Sequence, residues 1–244
     1  MKNRIYDLAH GFKTPAWYPT TCDRDGSLLD SKFSGKPYLL PDEKYPHCQN
    51  CSEPMQLFIQ LNFNTLPRKL GIQLDRGLLQ LFYCTSSDPH CDSDCEANVA
   101  LESDPGFGKL IRIVEPQFNS EEDYELPNFK EKYEPKCIIG WQQLEDLPSL
   151  IDLEHLESLF SPSKWEEIID LYNFPLDRDK LGGYPLWIQG DYRPQCPRCQ
   201  TTMRYFMQLD CEGVLPFDFG GNGCGHIFQC PNHQEIVEFT YECT

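Results

Sequence analysis

Long hydrophobic runs are missing from this chain. No stretch of about 18 apolar residues occurs in its 244 residues, and Met1-Lys2-Asn3-Arg4-Ile5-Tyr6-Asp7 carries neither an apolar core nor a small-residue cleavage site. A membrane-spanning helix and Sec export are therefore not expected, and a cytoplasmic location is. Basic residues are also scarce: 21 Lys and Arg stand against 38 Asp and Glu, a net charge of −17. A nucleic-acid backbone is repelled by such a surface, so no nucleic acid is expected as a direct partner. Missing too are a Gly-x-Ser-x-Gly elbow, a phosphate-binding loop, a His-Glu-x-x-His helix and a dinucleotide fingerprint. No catalytic residue is expected on these grounds.

Cysteine, by contrast, is abundant, at 13 residues. Without an export signal the thiols are expected to be reduced and free to bind metal, with disulfides the poorer reading. Their placement follows a repeat. Residues 32–61 align without a gap on residues 180–209 at an offset of 148, and ten of the thirty positions are identical: Lys32/Lys180, Gly35/Gly183, Pro37/Pro185, Pro46/Pro194, Cys48/Cys196, Cys51/Cys199, Met55/Met203, Phe58/Phe206, Gln60/Gln208 and Leu61/Leu209. The conserved kinds fix turns, metal ligands and one core face.

Each unit reads as a Gly/Pro turn, a Cys-x2-Cys knuckle and an alternating strand, Met55–Leu61 or Met203–Leu209. A second strand ends in cysteine, Gly77–Cys84 or Gly225–Cys230. The sequence thus predicts an α+β, sheet-rich, internally duplicated single domain over 1–244. Its first repeat is 32–114 and its second 180–244, joined by an acidic and helical linking region at 115–179. Residues 115–170 hold 15 acids and 4 lysines. Helical spacing runs over 150–160, and a second helix is announced by Ser161 as N-cap and Pro162 in the first turn, with Trp165, Ile168, Ile169 and Tyr172 on one face.

Tetrahedral Zn²⁺ takes four thiolate or imidazole ligands, and one Cys-x2-Cys turn supplies two of them. In the first repeat the set is Cys48, Cys51, Cys84 and Cys91, with Cys95 competing for the last place. In the second it is Cys196, Cys199, Cys230 and His233, with Cys224 as the spare. Two structural zinc ions are expected. Cys22, Cys137, Cys211 and Cys243 have no repeat partner and read as core or surface thiols, and His10 and His155 read as non-ligands. A zinc hydrolase or deaminase is the enzymatic alternative, since His155-Leu-Glu157 precedes Cys196-Pro-Arg-Cys199. Against it, Gln195 stands where that pattern has proline, and the first knuckle has no His-x-Glu near it. An active site between the repeats would draw on Gln60, Gln189 and Gln208; the simpler reading is that these glutamines satisfy backbone groups at strand ends.

Lys180-Leu-Gly-Gly-Tyr-Pro-Leu-Trp-Ile-Gln189, Met203–Leu209 and Phe228-Gln-Cys-Pro-Asn-His233, together with Gly35-Lys-Pro37, Phe58-Ile-Gln-Leu61 and Gly140-Trp141, resemble the YwqG-like proteins, a bacterial domain of unknown function. The resemblance runs from about Lys32 onward and implies a duplicated, sheet-rich α+β fold without implying an activity; many members lack the cysteines. The cysteine-bearing halves are also similar to the programmed cell death protein two family, over a shorter stretch. That similarity implies a carrier of a newly made basic ribosomal protein, a task an acidic surface suits. The expected function is a non-catalytic, zinc-stabilised protein-binding module whose partner is another protein, with a basic one as the candidate client. An immunity-like inhibitor of a bacterial toxin is the alternative binding role.

Overall fold

The computed structural model describes residues 11–70, 76–86, 91, 108–117, 124–149, 151–153, 157, 161–171 and 175–244. The strands are β1 (Thr14–Cys22), β2 (Lys32–Phe33), β3 (Gln56–Asn62), β4 (Leu78–Tyr83), β5 (Lys109–Val114), β6 (Lys136–Asp146), β7 (Lys180–Gly182), β8 (Arg204–Asp210), β9 (Cys224–Gln229) and β10 (Val237–Glu242). They form one ten-stranded antiparallel sheet in the order β10-β9-β8-β7-β1-β6-β2-β3-β4-β5. Its two edges approach each other, because Lys109 on β5 donates from Nζ to the Phe239 carbonyl of β10 at 2.6 Å. The result is a nearly closed barrel. Phe33, Phe58, Leu61, Leu81, Tyr83, Met207, Ile227 and Phe239 fill a core to which both halves of the chain contribute.

The alternating strands read from sequence form β3 and β8, and the strands that follow them form β4 and β9. Pairing follows the 148-residue offset. Lys32 lies opposite Gln60 and Phe33 opposite Ile59, while Lys180 lies opposite Gln208 and Leu181 opposite Met207. The register of β3 on β4 shifts between Leu57 and Ile59, and that of β8 on β9 between Tyr205 and Met207. Phe58 and Phe206 sit at these irregularities, and both are buried in the shared core.

The linking stretch is not purely helical, since it contains β6, an 11-residue strand at the centre of the sheet. β6 pairs with β1 along nearly its whole length and also with β2, while β1 pairs in addition with β7. The strand that precedes each knuckle-bearing segment is thus hydrogen-bonded to the other half. Among the described residues an α-helix follows, α1 (Pro162–Leu171), where Ser161 and Pro162 place it; the Ser161 carbonyl accepts from the Lys164 and Trp165 amides at 2.9 Å. Most of the helical spacing over 150–160, and the Tyr172 position, fall outside the described residues. No helix among the described residues is long and apolar enough to cross a membrane.

Two lysines at the start of β2 and β7 are fully buried. Lys32 Nζ donates to Asp25 at 2.7 Å and to the Lys36 carbonyl at 2.9 Å; Lys180 Nζ donates to Asp146 and to the Leu176 carbonyl, both at 2.8 Å. The matching glycines serve these pairs. Gly35 and Gly183 adopt φ of +83° and +73°, and a Cβ on either would press into the carboxylate of Asp25 or Asp146. Gly183→Ala should therefore cost at least about 2 kcal/mol, combining left-handed strain with displacement of Asp146. Chemical denaturation checks this, and a cost under about 0.5 kcal/mol would contradict it.

Candidate metal centres

Both knuckles are built the same way. The Cys48 amide donates to the Glu53 carbonyl at 2.8 Å and the Ser52 amide to the Cys48 carbonyl at 2.8 Å; Cys196 with Thr201 at 2.9 Å, and Gln200 with Cys196 at 2.8 Å, repeat the pattern. Met55 and Met203 close the hairpin onto the Pro46 and Pro194 carbonyls at 3.0 and 2.8 Å. Ser52 and Gln200, the residues after the second cysteine, take φ of +63° and +58°. Such a tight turn leaves both sulfurs on one side.

The end of the next strand supplies the other two groups. Cys48, Cys51, Cys84 and Cys91 place their sulfurs within 4.8 Å of one another; Cys196, Cys199, Cys230 and His233 do the same with three sulfurs and a ring nitrogen. These are the eight residues singled out from the sequence. Cys51 and Cys84 approach to 3.6 Å and Cys199 and Cys230 to 3.7 Å, with His233 Nδ1 at 3.7 Å from both Cys196 and Cys230. Metal–ligand bonds of about 2.3 Å to sulfur and 2.0–2.1 Å to nitrogen give tetrahedral edges of about 3.8 Å between sulfurs and 3.6 Å from sulfur to nitrogen. The spacing fits that ion size. The second cluster does not use its spare cysteine, since Cys224 instead donates to Asp210 at 3.3 Å; Cys95, the competitor for the first, lies outside the described residues.

Burial and neighbouring groups shift the thiols of each cluster in opposite directions. Burial pushes the Cys91 thiol up to about 11 and raises Cys84 and Cys230, and neighbouring sulfurs add to the effect. One thiol in each set is pulled the other way. The Thr201 hydroxyl and amide, aided by Asn232, hold Cys199 down to about 5; at Cys48 burial opposes ionisation, but the Cys51 and Asn50 amides outweigh it and lower the thiol. Thiolates at this spacing repel one another. A divalent ion relieves that repulsion. Further N–H donors point at the sulfurs, with Asn50 Nδ2 at 3.3 Å from Cys91 and the His233 amide at 3.3 Å from Cys230. Each cluster rests on an apolar patch, Met55, Leu57 and Phe82 in one half and Trp187, Met203 and Phe228 in the other.

A model of the domain of unknown function DUF1963 matches residues 31–233. The chain belongs to the DUF1963 family. It is also similar to the uncharacterized protein YpfL of Salmonella typhimurium (strain LT2), 35% identical over 60 residues, which is 25% of this chain and 14% of that protein. This DUF1963 chain thus spans about a seventh of that relative's length.

The remaining cysteines divide. Cys22, Cys137 and Cys211 are unbridged thiols, whereas Cys243 is disulfide-bonded, a correction to the expectation of a free thiol there. Cys22 and Cys137 face each other across β1 and β6. His155 lies outside the described residues, and Glu157 is exposed. Gln60 and Gln208 serve the backbone: Gln60 accepts from the Tyr38 amide and donates to the Leu28 and Asp30 carbonyls, and Gln208 accepts from Leu186 and donates to Leu176 and Arg178.

Sequence reasoning missed the polar group beneath the second knuckle. His226 is fully buried, and burial, reinforced by the Lys180 charge, pushes its imidazole down to about 3. Below pH 6.5 the unfolded chain binds a proton that folded His226 refuses until about pH 3. This group therefore removes stability as the pH falls through that window. His226→Gln should flatten that part of a melting temperature against pH profile, and an unchanged acid slope would contradict the assignment.

Proposed function

We propose that this DUF1963 chain is an internally duplicated, non-catalytic protein-binding module whose two knuckles are each closed by a structural Zn²⁺. The observation that carries the reading is the convergence of two four-ligand sets of thiols and imidazole. With all four positions taken by protein, such a site has no open place for water or substrate, and its work is to fasten loop to sheet. Cys48, Cys51, Cys84 and Cys91 hold one ion; Cys196, Cys199, Cys230 and His233 hold the other. The chain's net charge of −17 favours a basic protein as client, drawn in by long-range attraction.

Affinity capture from a cell lysate tests the binding role. The expected result is enrichment of a basic protein whose retention falls steeply between low and physiological salt, as screening requires. Salt-independent capture of a neutral or acidic protein, or no specific capture, would contradict it. Release of ammonia from any nucleobase or nucleoside would overturn the non-catalytic reading in favour of deamination.

A further inference from the structure

The outer faces of the two halves carry matching rows of polar side chains, and only one row is internally satisfied. In the first half Lys32, Gln60, Gln80 and Arg112 lie side by side across β2, β3, β4 and β5. Gln80 donates to the Tyr38 carbonyl at 2.7 Å and to Gln60 at 2.9 Å, and accepts from Arg112 at 3.0 Å. The corresponding row in the second half is Lys180, Gln208, His226 and Thr240. Histidine has replaced the central glutamine, and threonine the arginine.

The Leu186 carbonyl, 148 residues beyond that of Tyr38, lies near the His226 ring but outside hydrogen-bond geometry, and neither ring nitrogen has another partner. Three more buried polar atoms, on side chains that neighbour it, are also without partners: Glu242 Oε1, Trp187 Nε1 and the Tyr205 hydroxyl. Glu242 Oε1 lies 3.9 Å from His226 Nδ1, and the Trp187 and Tyr205 rings are centred 5.3 and 6.1 Å from the imidazole. The other Glu242 oxygen is occupied, accepting the Ile188 and Gln189 amides at 2.7 Å. Buried polar groups are almost always paired, so five orphaned atoms on four neighbouring side chains need a guest that both donates and accepts.

We propose that the second half encloses an ordered hydration site, in which buried water hydrogen-bonded to His226 and Glu242 extends to Trp187 and Tyr205. A gap of 3.9 Å is too long for a direct hydrogen bond but can be bridged by one water about 2.8 Å from each end. Water also suits the mixture of an indole donor, a carboxylate acceptor, a hydroxyl and an imidazole able to do both. The first half needs no such water, since Gln80 and Arg112 fill the equivalent space. The site ties the loop carrying Trp187, Cys196 and Cys199 to β9 and β10. It is independent of the metal reading, as none of its four side chains is a candidate ligand.

A crystal structure at a resolution that places solvent tests this on the wild-type protein. A solvent peak within hydrogen-bonding distance of His226 and Glu242, with none at the matching position beside Gln80, is the expected result. A direct hydrogen bond between His226 and Glu242 with no solvent peak, or an organic molecule in the water's place, would overturn it. The same experiment on His226→Gln should show the glutamine amide on the Leu186 carbonyl and the bridging peak gone. An unchanged peak in that variant would overturn the assignment to His226.

Discussion

Stripping the protein with a strong chelator should lower its melting temperature by about 10–20 °C and disorder both knuckle loops. Structural zinc contributes about 10 kcal/mol or more in isolated small modules. Here a ten-stranded sheet with its own core carries part of the fold, so a loss of about 5 kcal/mol is the realistic share. At this chain length each kcal/mol moves the melting temperature by about 2–4 °C. Without the ions, four sulfurs in one half and three sulfurs with an imidazole in the other converge with nothing to hold them. Cys48→Ser and Cys196→Ser should each remove one ion and about half of the effect. Calorimetry with and without chelator checks this, and a melting temperature unmoved by chelation would contradict it.

Asp146→Ala is the second large effect, expected to cost about 3–5 kcal/mol. Asp146 and Lys180 are both fully buried, and removing one partner leaves the other charge alone in a low-dielectric interior. The same carboxylate also accepts the Leu147, Leu176 and Tyr184 amides at 2.9–3.0 Å. Asp25, the partner of Lys32, provides an internal control because its side chain is 34% exposed and water can take over its role. Asp25→Ala should cost about 1–2 kcal/mol. Urea denaturation of the two variants separates them, and equal costs would contradict the account of these buried pairs.

The two Cys/His clusters were the most legible part of the sequence. A thiol at the right spacing is chemically distinctive, and the tight knuckle turn allows few alternatives. β3, β4, β8 and β9 were legible because alternating apolar residues line the shared core. β1 was not, since Pro15 and Pro19 interrupt its pattern; Pro19 lies beyond the short ladder with β7, which involves only Ala16 and Trp17. β6 was hidden for a different reason. Gly140 breaks its run, and its exposed Ile139 and polar Gln142 and Gln143 give no core-facing stripe. The crossing of β1 and β6 between halves depends on pairings more than 100 residues apart, which no local pattern encodes.

The repeat exposed Lys32 and Lys180 but not their partners. Asp25 and Asp146 do not share the 148-residue offset, because the connection from β1 to β2 is short and that from β6 to β7 contains α1. The segment lengths differ while the ion pairs are rebuilt. The His226 group escaped notice because a single histidine in an alternating strand carries no spacing signal; its meaning appears only beside Gln80.

Metal content per folded chain tests the central claim most directly, measured by elemental analysis and native mass spectrometry on protein purified without chelator. The account predicts about two zinc ions per chain, falling to about one in either Cys48→Ser or Cys196→Ser. A fully folded wild-type protein carrying no metal would contradict it.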